Sequence, residues 1–203
     1  MKKIVVIMCI LFLTGCSIVR IDTKSIDNTI DVILSKNNTL YNQVGKGYKY
    51  YVPRGVTYIE SDDFNDKLYC NGNYYYLYID AVSYYNKIKI NFKENEKLYY
   101  YKKISKEDFK YDGYIKIEKI NNLYKIEFVY NYAIFETIVD KENLNQTVLN
   151  ASYILSTIKF NKKIVGLSLN ENYFTNKEEK YNSFSNENKT TKFDLNVETK
   201  KEG

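Results

Sequence analysis

Ser61-Asp62-Asp63-Phe64-Asn65-Asp66 is an acidic cluster that could hold a hard cation. A calcium loop alternates oxygen ligands and then needs a glycine and a distant glutamate. Here Asp63 and Asn65 are followed by Asp66 and Lys67 with no glycine, so the stretch reads as a solvated turn. Two further carboxylates sit in apolar surroundings: Asp80 ends the run Tyr74-Tyr75-Tyr76-Leu77-Tyr78-Ile79, and Glu136 interrupts Ala133 to Val139. A carboxylate in such a strand is costly unless exposed or paired. Arg54 is a candidate partner for either, and Tyr76 and Tyr78 are candidate binding side chains beside Asp80. An ion pair and a polar ligand site are both open readings. Two carboxylates could also serve a hydrolase or transferase, but the sequence gives no distance between them. The chain has no histidine, which excludes a Ser-His-Asp triad, a histidine base and a histidine metal ligand. Cys70, the one cysteine after residue 16, therefore lacks an activating histidine and reads as a small strand-end hydrophobe. No catalytic residue, metal or cofactor is assigned.

The elements that must position these groups follow from pattern and composition. The 203 residues carry 23 Tyr against one Pro and eight Gly, which favours sheet with few sharp bends. Ser25 predicts an N-cap, and Ile26, Ile30, Ile33 and Leu34 predict an amphipathic packing helix to about Lys36. Strands are expected at Tyr48–Val52, 56–60, 67–70, Tyr74–Asp80, Lys87–Phe92, Leu98–Ile104, Tyr114–Ile120, Leu123–Tyr130 and Tyr132–Val139. Asn71-Gly72 and Asn121-Asn122 supply the positive φ of tight hairpins. Asp140 is the expected cap of a closing helix, Lys141–Ile158, whose stripe is Leu144, Val148, Ala151, Leu155 and Ile158. This order predicts an α+β fold: an antiparallel sheet of about six strands flanked by a short N-terminal and a longer C-terminal helix.

Alternation sends about half of the tyrosines of 48–51, 74–78, 84–85 and 99–101 to the core, and the rest could form a stacking face. The window Lys87 to Lys110 has eight Lys against four acids, a patch that could meet anionic lipid or wall polymer. The formal charge of +5 and only two arginines argue against nucleic acid as a partner.

Residues 1–16, MKKIVVIMCILFLTGC, run from Lys2 and Lys3 through an apolar stretch to Leu13-Thr14-Gly15-Cys16. The stretch is about half of what a membrane span needs. These four residues resemble the lipobox of bacterial lipoprotein precursors. The resemblance implies cleavage between Gly15 and Cys16, a diacylglyceryl group on Cys16, and anchorage on the extracytoplasmic face of the membrane. The organisation expected is a signal peptide at 1–15, a lipidated tether at 16–24, a globular domain at 25–169 and a polar, disordered tail at 170–203. Tyr51-Val52-Pro53 with Gly55, and the closing Ile154-Leu155-Ser156-Thr157-Ile158-Lys159-Phe160, resemble the PsbP-like α/β/α sandwich. That resemblance implies a non-catalytic extracytoplasmic accessory or binding domain. The leading expectation is binding of another protein or an envelope component, and a purely structural envelope lipoprotein is an alternative.

Overall fold

A computed structural model describes residues 25–89 and 98–169. The expected signal segment with Gly15 and Cys16, the expected tether and the expected tail lie outside the described residues, as do residues 90–92 of the expected strand Lys87–Phe92.

Ser25 caps α1 (Ile26–Leu34) by accepting from the Asn28 N–H at 3.3 Å. A small sheet follows, β1 (Gln43–Val44) and β2 (Tyr48–Tyr50), completed later by β10 (Lys159–Phe160). The main sheet comprises β3 (Thr57–Asp62), β4 (Asn65–Cys70), β5 (Asn73–Ile79), β6 (Tyr100–Ile104), β7 (Gly113–Ile120), β8 (Leu123–Tyr130) and β9 (Ala133–Asp140). Its order is β3-β4-β5-β9-β8-β7-β6, antiparallel throughout. Between β5 and β6 lies α2 (Ala81–Asn86), and after β9 come α3 (Leu144–Thr157) and α4 (Lys162–Ser168). The α+β architecture expected from the sequence is the one observed, with seven strands in the main sheet rather than about six.

The hairpins close where asparagine can adopt positive φ: Asn71 at 49° with Gly72 at 79°, Asn121 at 55°, and Asn131 at 53°. Gly113 faces Val129 O so closely that any side chain there would force β7 from β8. Strand alternation then divides the sheet into two faces. Leu68, Tyr75, Leu77, Phe128, Phe135 and Val139 point inward to α3 and are buried.

α3 lies between the sheet and α1, and this explains a correction to its expected shape. The stripe Leu144, Val148, Ala151, Leu155 and Ile158 is buried, but so are Thr147, Asn150, Ser152, Ile154 and Thr157. A helix covered on two sides buries more than one stripe. Its interior polar groups are satisfied: Thr147 Oγ1 meets Tyr75 Oη at 3.2 Å, and Ser152 Oγ donates to Val148 O at 2.7 Å. Asp140 accepts from Asn143 N at 2.8 Å, so it caps the turn that leads into α3 rather than the helix itself.

Two short helices differ from the strand-dominated expectation. α2 occupies residues beyond Asp80, and Lys87 ends it in the left-handed region at φ 55°, so the expected strand does not begin at Lys87. α4 starts at Asn161, whose side chain accepts from the N–H groups of Lys163 and Ile164.

Candidate functional site

The outward face of the sheet is built by the same alternation that fills the core. On β5, Tyr74, Tyr76 and Tyr78 point away from α3 and are half-buried. β4 adds Lys67 and Tyr69, β9 adds Ile134, Glu136 and Ile138, and β8 adds Lys125, Glu127 and Val129. The strand register aligns these residues into rows. One row crosses all seven strands: Glu60, Lys67, Tyr76, Glu136, Glu127, Lys116 and Tyr101. Its neighbour runs Asp62, Asn65, Tyr78, Ile134, Val129, Tyr114 and Lys103.

Charge is distributed along the first row in a specific way. Lys67 Nζ is 3.1 Å from Glu60 Oε1, and the hydrogen bond to Glu60 holds the lysine above its ordinary pKa. The same ammonium lies 4.8 Å from the Tyr74 ring centroid. Burial raises the Tyr76 hydroxyl's pKa, against the opposing pull of Lys67. In the centre of the row Glu127 and Glu136 sit directly opposite one another on β8 and β9. Like charges in that position repel. Glu127 is nearly buried, and each of its oxygens has a donor: Tyr114 Oη gives 2.7 Å to Oε1, and Lys116 Nζ lies 3.0 Å from Oε2. Glu136 stands between Glu127 and Tyr76.

The sequence candidates are thus only partly brought together. Glu136, Tyr76 and Tyr78 share the outward face. Asp80 does not join them. It is the N-cap of α2, where Oδ1 accepts from the Ser83 N–H at 2.9 Å, and this hydrogen bond accounts for a carboxylate at the end of an apolar strand. Arg54 lies exposed in the turn before β3, and the Asp80 carboxylate is engaged by Ser83 instead. Arg54 precedes β3 at one sheet edge, while Glu136 is three strands further in, about 14 Å across the sheet. Cys70 is buried at the end of β4, with Asn150 Nδ2 at 3.7 Å from its sulfur.

The acidic cluster also departs from expectation. Asp63 is at the tip of the β3–β4 hairpin with φ 50° and pairs with Lys46, but Asp66 faces inward and is 2% exposed. Tyr48 Oη donates to Asp66 Oδ2 at 2.9 Å, which ties the small sheet to the main one. Ser61 also supports this carboxylate, and Tyr50 Oη approaches it outside good hydrogen-bond geometry. Burial outweighs these donors and raises the Asp66 pKa, while burial and the carboxylate together push both tyrosines far above the ordinary phenol range.

A pH dependence follows with a definite sign. A carboxyl whose pKa is raised by folding binds more protons in the native state, so its contribution to stability falls as pH rises through the interval between the two values. Asp66→Asn removes the charge and is expected to gain most over the native protein at neutral pH, with the gain shrinking as pH falls toward about 4, the ordinary aspartate range. Unfolding midpoints of both proteins across that range measure it. A difference independent of pH would contradict the assignment.

Among the described residues there is no group of three or more Cys, Asp or Glu able to hold a metal ion. No protein-family model, curated protein or solved structure matches the chain.

Proposed function

We propose that this is a lipid-anchored bacterial surface protein, held on the extracytoplasmic face of the membrane by a diacylglyceryl group on Cys16. Its sheet binds another protein or an envelope component through the outward face. The observation that carries the binding reading is the pair of register rows, in which four tyrosines, Ile134 and Val129 are interleaved with charged side chains. Tyrosine presents a flat apolar body with a polar tip, the composition of binding surfaces rather than of solvated sheet. The lipobox-like Leu13-Thr14-Gly15-Cys16 supports the address.

The PsbP-like resemblance points to the same non-catalytic role. The segments that carry it lie against one another: the Tyr51 N–H donates to Thr157 Oγ1 at 3.0 Å, and β10 pairs with β2.

Acid/base chemistry is a second reading, favoured only by the opposition of Glu127 and Glu136. Tyr114 and Lys116 already engage both Glu127 oxygens, which makes this carboxylate a structural acceptor.

Photo-crosslinking in intact cells tests the binding reading. A photoreactive phenylalanine at position 76 is expected to yield one discrete adduct, whereas the same group at exposed Gln146 on α3 should yield none. Equal patterns from the two positions would count against the sheet face.

A further inference from the structure

We propose that a second surface, formed by β1, the residues before it, α2 and α4, rests on the anionic lipid headgroups of the bilayer. Nine large hydrophobic side chains are exposed among the described residues, and six of them lie on these elements: Leu40, Tyr41, Val44, Tyr85, Ile164 and Leu167. Leu167 is 87% exposed and Val44 73%, values that folding alone does not explain.

These elements are joined to one another. β10 pairs with β2 on the side away from β1, and the Asn161 N–H that opens α4 donates to Gly47 O at 2.8 Å. Gly47, at φ 84°, lets Val165 of α4 lie directly on the chain between β1 and β2. Gly166 in turn admits the Tyr85 ring of α2. With Val165 turned inward, Lys163, Ile164 and Leu167 occupy the opposite, exposed side of α4. On the small sheet Val44, Lys49 and Lys159 form one outward row, and Lys49 Nζ sits 3.7 Å from the Tyr41 ring centroid.

Charge identifies the occupant. Residues 40–49 and 159–168 hold Lys46, Lys49, Lys159, Lys162 and Lys163 and no Asp or Glu. Lys46 pairs with Asp63, which leaves four lysines around the apolar side chains. Apolar groups that enter the headgroup layer, ringed by lysines that meet lipid phosphates, are the pattern of an interfacial membrane contact.

The geometry permits it, on the reading that Cys16 is lipidated. Residues 17–24 reach at most about 26 Å when extended, and an eight-residue strand of this sheet is also about 26 Å long. The tether therefore allows either end of the sheet to meet the lipid. In this placement the tyrosine face is left for a partner.

The chain contains no tryptophan, so Leu167→Trp in the full-length protein reports from one position. With vesicles of phosphatidylglycerol and phosphatidylcholine, its emission should shift to the blue and be quenched by brominated lipid. Tyr69→Trp, on the sheet face, should show neither effect. Adding Lys162→Gln and Lys163→Gln should weaken partitioning about 30-fold, at about 1 kcal/mol for each lysine near an anionic surface. Both lysines are exposed, so folding should be unaffected. The proposal is overturned if the indole introduced by Leu167→Trp remains in water, if it shifts equally on phosphatidylcholine alone, or if it shifts on concentrating the protein without vesicles, which would indicate a second copy. The intact mass of the mature protein reports acylation separately, so failure of the anchor and failure of this surface are distinguishable.

Discussion

Replacing Leu155 by alanine is expected to remove about 2–5 kcal/mol of stability, a large part of the about 5–15 kcal/mol typical of a whole domain. Leu155 is fully buried, and its helix is covered by the sheet on one side and by α1 on the other. Neither layer can collapse into the cavity without moving the other, which places the cost in the upper part of the range. Val148→Ala should be milder, because fewer methyl groups are lost. Lys141→Ala, exposed in the turn before α3, should change stability by no more than about 0.5 kcal/mol. Denaturant unfolding of the three variants checks the ranking. Equal midpoints for Leu155→Ala and Lys141→Ala would overturn the packing of α3.

The second large effect concerns the address. On the proposal that Leu13-Thr14-Gly15-Cys16 acts as a lipobox, Cys16→Ala should abolish acylation and leave the precursor uncleaved, because the Cys16 thiol is the group that would accept the lipid. Metabolic labelling with a fatty-acid analogue and the mass of the product measure this together. A Cys16→Ala chain that still carried label, or that was processed normally, would rule out the anchor. One acyl chain gives only marginal membrane binding and two give stable anchorage, so without the diacylglyceryl group no stably anchored mature protein should form.

The fold is legible in the sequence where local chemistry and the global structure agree. Asn71, Gly72 and Asn121 adopt positive φ in the hairpins expected at those places, and the α3 stripe is buried as its spacing requires. The short helix α2 is not legible, since Tyr84 and Tyr85 favour strands and six residues show little periodicity. Its only local sign is Asp80 three residues before Ser83, a capping spacing. The burial of Asp66 is hidden because an aspartate among aspartates resembles a turn, and only the pairing of β4 with β5 turns it inward.

The candidate site is legible in part for a similar reason. Tyr76, Tyr78 and Glu136 stand out by type, but their juxtaposition depends on β5 pairing with β9 across more than fifty residues of chain. Local pattern carries no information about that pairing. Glu127 is concealed by the opposite cause: in Lys125-Ile126-Glu127-Phe128 it looks like an ordinary outward glutamate. Its role emerges only when β7 brings Tyr114 and Lys116 against its carboxylate.

Tyrosine-directed chemical labelling of the full-length protein, in intact cells and after purification, tests the binding face most directly. Tyr69, Tyr74, Tyr76 and Tyr78 should be modified in the purified protein and protected in the cell, while the buried Tyr50 and Tyr75 remain unmodified in both. Identical modification of the four face tyrosines in the two preparations would contradict the claim that this face is occupied by a partner.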